Sequence, residues 1–121
     1  MKEYAIIGLG GFFGSIARFW MADAIERRWQ YVLPIGTLAV NLLGSFLIGI
    51  VIALFDRESI NHTWRYFLAT GFCGGFTTFS TFSAENVNML KSGNLMDSVG
   101  YIALSIATCL AGTYFGYHIA K

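Results

Sequence analysis

The stretch GFCGGFTTFSTFSAEN, Gly71 to Asn86, interrupts a chain that is otherwise oily. Two adjacent glycines, a Thr-Thr pair and a Phe-Ser-Thr-Phe run are poor material for an unbroken apolar helix. Glycine lowers helix stability and threonine can cap a restart, so Gly74-Gly75 followed by Thr77-Thr78 predicts a break. In hydrocarbon, irregular backbone is tolerated only when it is buried in protein or lines a cavity. From composition alone, a tightly packed but unbroken helix crossing fits these residues equally well.

The surrounding chain indicates the solvent. Its 121 residues are 55% hydrophobic and 12% charged, with a mean hydropathy of +0.58. Charged residues are at about half the share usual in soluble domains. A soluble chain this short could not hide so much apolar surface, and it has room for one domain, residues 1–121. Four stretches are long enough to cross a bilayer: Tyr4 to Ala22, Leu33 to Phe55, Trp64 to Met89 and Leu95 to Ile119. A crossing needs about 20 residues. The connections, DAIERRWQY, DRESINH and KSGN, are short and polar. Pro34, the only proline, falls where a helix start tolerates a missing N–H. Trp20, Trp29, Trp64, Tyr31 and Tyr66 sit near span ends, as interfacial aromatics do. The first apolar stretch is too long for a cleaved signal peptide and lacks a small-residue site.

Four spans place both termini on one side. That side carries Lys2, Arg57, Arg65 and Lys121 against Arg27, Arg28 and Lys91 on the other, with Arg18 inside the first span. So even a split hardly biases orientation under the positive-inside rule. It fits either one weakly specified orientation or a chain that inserts both ways and pairs with an inverted copy of itself. Gly10 and Gly14, Gly71 and Gly75, and Gly112 and Gly116 each make GxxxG, which lets helix backbones approach closely. A homodimer follows as the expectation, since four helices enclose little of a pathway.

Polar residues within the spans recur on single faces. Thr37, Asn41 and Gly44-Ser45 share one face of the second span, and Tyr101, Ser105, Thr108 and Gly112 one face of the fourth. Gly11, Gly14 and Arg18 align in the first. The third supplies Thr77, Thr78, Ser80, Thr81 and Ser83, with Phe79 and Phe82 three apart. These stripes offer N–H and O–H donors with almost no formal charge. Ring edges carry the positive part of the aromatic quadrupole. Such a lining suits a small, strongly hydrogen-bonding anion, because conduction needs binding weak enough to release. Hydroxyls can also simply bond back to their own helix. Arg18 could snorkel to the interface or form a positive vestibule. Glu85 could be a coupling carboxylate or a packing residue at a helix end. Carbonyls freed at the break could hold Na⁺, and in an inverted dimer two breaks could share one cation.

Three pieces resemble the Fluc (CrcB) family of bacterial fluoride channels: GGFFGSIARFW, GTLAVNLLGSFLIG and, most specifically, GFCGGFTTFSTFSAE. The resemblance covers nearly the whole chain, and the fourth span is its least distinctive part. It implies an all-α membrane protein of four transmembrane helices, the third broken mid-membrane, assembled as an antiparallel, dual-topology homodimer with two fluoride pores. It also implies a structural sodium ion at the dimer centre, held by the main-chain carbonyls of Gly74 and Thr77 from each subunit. Asn41, Phe79 and Phe82 would line the pore, with a polar track through Tyr101, Ser105, Thr37 and Thr81. Arg18 matches the family's first-span arginine. Where the family often has a serine one turn beyond Ser105, this chain has Thr108 and Cys109. The implied function is passive export of cytoplasmic fluoride across the bacterial inner membrane, conferring fluoride resistance.

The main rival is a proton-coupled small multidrug transporter, also short and four-spanned. Such a carrier needs a carboxylate deep in the bundle, and Glu85 is the only candidate. A structural subunit without transport would explain the glycines but not the aligned stripes. An enzyme finds no support, since no nucleophile–base pair or metal cluster is visible. Cys73 and Cys109 read as small apolar residues, and His62 and His118 stand alone near span ends. GLGGFFG has no Lys-Ser/Thr and lies within a span, so it reads as packing rather than a phosphate loop. A net charge of +1 gives no reason to propose nucleic acid.

Overall fold

A computed structural model describes residues 1–121. The chain is helical, without strands. Helix α1 covers Lys2–Arg28, α2 Ile35–Asp56 and α6 Leu95–Ala120. These three are long and apolar enough to cross a membrane. The remaining crossing is assembled from pieces. Helix α3 (His62–Arg65) runs on through a π-helical stretch, Tyr66–Cys73, into α4 (Gly74–Phe76), and α5 (Phe79–Lys91) follows after two extended residues. The π stretch is longer than the single-turn bulges in which that geometry usually occurs, and nothing in the composition signals it.

Only 18 of 121 residues are buried, while Phe12, Phe19, Leu110 and Phe115 are each at least 60% exposed. That surface is intelligible in hydrocarbon, not in water. Alternation of the crossings is fixed by contacts at both ends. At one end Arg57 Nη1 donates to the carbonyl of Ala120 at 2.7 Å. At the other, Thr37 Oγ1 donates to Glu85 at 2.8 Å.

Two boundaries differ from the sequence-based expectation. The apolar pattern ends the first span at Ala22, yet the helix continues to Arg28. Good helix formers fill that extension, and Asp23 pairs with Arg27 one turn on at 3.0 Å. Arg27 and Arg28 also complement the negative end of the helix dipole. The second difference lies at the break. The glycines do not unwind: Gly74 has helical angles of −62° and −37°. The extended residues are Thr77 (φ −89°, ψ 158°) and Thr78 (φ −148°, ψ 123°). Gly75 is needed for contact instead, since a Cβ there would lie 2.8 Å from the carbonyl oxygen of Gly11. Thr78 does cap the restart, its hydroxyl accepting from the Thr81 N–H at 3.1 Å.

Helix packing falls into two close pairs. Helix α1 lies against residues 66–76, with Gly10 on Gly71 and Gly14 against the Phe72 carbonyl. Helices α2 and α6 meet at Gly49, against the Thr113 carbonyl, and at Gly116, against the Phe46 carbonyl. Thr113 adds a bond to the Ser45 carbonyl at 2.9 Å. Two of the three GxxxG pairs therefore form the α1 contact, as their spacing predicts. Gly49→Ala is expected to force α2 and α6 apart and cost about 1–3 kcal/mol by overpacking. A lowered thermal midpoint in detergent would register it. Gly8→Ala, where a Cβ meets nothing within 4 Å, is the control that should not fall. Equal midpoints for both variants would contradict the close α2–α6 contact.

The turns follow from local chemistry. Gly93 takes φ +81°, and the Asn94 and Gly93 N–H groups return to the carbonyls of Met89 and Leu90 at 2.8 and 3.1 Å. This is a Schellman turn, which glycine accommodates without strain. The same pattern closes α2, where Ser59 and Glu58 return to Leu54 and Phe55, both at 2.9 Å. There Glu58 carries the positive φ of 60°.

Candidate functional site in the groove beside the broken helix

Asn41 faces the break and completes it. Its Oδ1 accepts from the Thr78 N–H at 2.8 Å, and its Nδ2 donates to the Thr78 carbonyl at 3.1 Å. One side-chain amide thus supplies both bonds that an extended residue inside a membrane lacks. Gly44, one turn on, leaves room for the Thr77 methyl, which a Cβ would strike. Thr77 Oγ1 donates to the Cys73 carbonyl at 2.9 Å.

These bonds leave carbonyls over. In a continuous helix the Gly74 carbonyl would accept from Thr78 and the Thr77 carbonyl from Thr81. The Thr78 N–H goes to Asn41 and the Thr81 N–H to Thr78 Oγ1. Both carbonyls therefore lose their helical partner, and uncharged oxygens of this kind suit a hard cation. The Gly75 carbonyl is taken by a cation from the chain itself: Arg18 Nε donates to it at 3.0 Å. Arg18 is half-buried against the break rather than snorkelling to an interface.

Between α2, the break and α6 runs a groove of about 510 Å³. Asn41 and Ser45 line it from α2, Thr77 to Phe79 from the break, and Phe82 from α5. Ser105 and Cys109 line it from α6. No lining residue carries a formal charge. Ser105 is 7% exposed, and its Oγ is buried without a hydrogen-bond partner. An orphaned buried hydroxyl on a groove wall is a donor in want of an acceptor. The Phe79 and Phe82 rings lie 5.5 Å apart, and Phe82 meets Tyr101 at 5.0 Å. Phe79 is 77% exposed, so the groove is open along this lip.

The remaining track residues divide. Thr37 and Tyr101 are buried and lie apart from the groove lining, gathered instead on Glu85. Tyr101 donates to Glu85 Oε1 at 2.9 Å and Thr37 to Oε2 at 2.8 Å. Glu85 is thus the hub of a three-residue cluster behind Phe82, a partnership that sequence spacing does not reveal. Thr81 is exposed and contributes its N–H to the cap, without lining the groove. Thr108 bonds back to the Leu104 carbonyl at 2.7 Å, while Cys109 faces the groove. That settles which of the two continues the Ser105 stripe. Both cysteines are free thiols. Asn86 and Ser98 are buried and bonded to each other and, through Asn86, to the Phe82 carbonyl; the sequence analysis does not single them out, although Ser98 extends the α6 stripe one turn before Tyr101.

Comparison with known proteins gives a consistent result. The family described as CrcB-like protein, Camphor Resistance (CrcB), matches residues 5–117. The fluoride-specific ion channel FluC of Gloeothece citriformis is 43% identical over 121 residues, covering 100% of this chain and 98% of that protein. FluC of Leptospira interrogans is 46% identical over 121 residues, covering 99% and 95%. FluC of Methanococcus maripaludis is 44% identical over 116 residues, covering 96% and 93%. With its broken helix, its uncharged groove and a match over almost its whole length, this chain belongs to the CrcB family.

Proposed function

We propose that this protein is a fluoride-selective channel that passively releases cytoplasmic fluoride across the bacterial inner membrane. The observation that carries this is the uncharged groove with the unpartnered Ser105 hydroxyl, flanked by Phe79 and Phe82. Fluoride is the halide that gains most from strong, short hydrogen bonds, and the unpartnered Ser105 hydroxyl can replace part of its hydration. The absence of a fixed positive charge in the lining keeps the ion from being trapped. Relatives sharing 38–46% of its residues bear the name of a fluoride-specific ion channel. A negative cell interior drives anions outward, so release requires no coupling to ATP or protons.

The groove's open lip and the near-even charge split favour an antiparallel, dual-topology homodimer, in which a second copy closes the path. The carbonyls of Gly74 and Thr77 fit a sodium ion shared by the two copies. Bound there, the ion would supply the positive charge that stabilises two opposed breaks. The proton-coupled carrier loses support because Glu85 does not line the groove and both its oxygens accept from hydroxyls.

Efflux from liposomes, read in parallel with fluoride and chloride electrodes, tests the function. Release is expected to be rapid for fluoride, slight for chloride and dependent on valinomycin, which supplies the balancing K⁺ current. Silence for both anions from folded protein would defeat the channel. Fluoride release that follows a pH gradient without valinomycin would return Glu85 to the centre.

A further inference from the structure

Helix α5 buries little of its surface. It starts at the Thr78 break and ends at the Gly93 turn, and its only buried residues are Asn86 and Met89. Choosing asparagine for one of these is costly in a membrane unless every polar atom is matched. Here it is matched on both sides. Ser98 Oγ, on α6, donates to Asn86 Oδ1 at 2.8 Å. Asn86 Nδ2 donates to the Phe82 carbonyl at 2.8 Å. Asn86 is 7% and Ser98 2% exposed, so water does not compete for these bonds.

We propose that Asn86 and Ser98 form a positioning clasp that holds Phe82 at the groove wall by fixing the rotation of α5 on α6. Ser98 stands one turn before Tyr101 on the same face of α6, and Asn86 one turn after Phe82 on α5. The clasp therefore lies directly behind the Phe82–Tyr101 ring contact and acts on the backbone of Phe82 itself. Glu85 already ties α5 to α6 and α2 through Tyr101 and Thr37. An apolar pair at 86 and 98 would fill the same space without adding a second directional tie to α6, because dispersion contacts are not directional. Directional bonds define one rotation. The ring edge that faces the path then stays in register while ions pass. The clasp touches neither the groove nor the ion, so it is a positioning device. Its effect on transport rests on the channel proposed above.

The test combines a local probe with flux. With 4-fluorophenylalanine at position 82, the intact protein is expected to give one sharp ¹⁹F resonance. Asn86→Leu and Ser98→Ala should each shift and broaden it, and Ser98→Thr, which keeps the donor, should restore it. Fluoride release should fall about tenfold in Asn86→Leu, yet less than about twofold further when Phe82 is already Ile, since coupled residues are not additive. Ser98→Ala, the gentler change, stands in if Asn86→Leu fails to assemble. An unmoved resonance overturns the clasp whatever the flux. So does a tenfold loss in both Phe82 backgrounds, which would mark a general folding defect. Absence of fluoride release from the intact protein would instead overturn the channel, and the resonance alone would then decide the clasp.

Discussion

Asn41→Leu is expected to abolish fluoride release and to destabilise the protein by up to about 2–6 kcal/mol, the cost of orphaning two half-buried backbone groups at up to about 1–3 kcal/mol each. Leucine fills similar space, so packing is nearly preserved and the loss is one of hydrogen bonds. Without Asn41, the Thr78 N–H and carbonyl face a low-dielectric interior unpaired. The cheapest repair is to rewind the break and return the Thr78 N–H to the Gly74 carbonyl, which removes the extended segment lining the groove. Thermal unfolding in detergent and liposome efflux read the two effects separately. Asn41→Asp keeps an acceptor for the Thr78 N–H but sets its other oxygen against the Thr78 carbonyl. It should retain more stability than Asn41→Leu while still impairing anion passage by like-charge repulsion. A wild-type midpoint and normal flux in Asn41→Leu would show that the break does not need this amide.

Replacing Phe82 with Ile is expected to lower fluoride release at least tenfold while the protein remains folded, a rise of about 1.4 kcal/mol in the barrier. The ring is in contact with Phe79 on one side and Tyr101 on the other. Isoleucine restores most of the volume but has no quadrupole and no positive edge. Phe79→Ile is the companion experiment. Its ring is 77% exposed, so its loss should hardly affect stability while still reducing flux. Chloride release should stay low in both variants, since neither widens the path with a charge. Unchanged fluoride flux in both would remove the rings from the pathway.

The break shows how unevenly a sequence exposes its structure. Gly74-Gly75-Phe76-Thr77-Thr78 announces an interruption, and an interruption is present. Its place is one step later than glycine propensity suggests, because propensity is local and Gly75 is claimed by the contact with Gly11 of α1. The Thr78 cap, by contrast, is a local bond and is legible. Arg18 offers two reasonable fates by position alone. Its actual partner, a carbonyl of Gly75 that exists in usable form only at the break, requires the third crossing to be in place. Glu85 is similar, since Thr37 and Tyr101 reach it from two other helices.

By itself the sequence determined the solvent, the helical class, the interruption between Gly71 and Asn86 and the polar faces of the second and fourth apolar stretches. Each of these follows from composition or from a period along one helix. Only the tertiary structure decided which stripes share a wall: Asn41 with Thr78, Ser105 with Phe82, and Thr37 with Glu85 rather than with the groove. The physical reason is range. Helical periodicity tells which residues share a face, but rotation and depth are set by contacts between helices. Here those contacts are glycines touching carbonyls, whose partners lie tens of residues away.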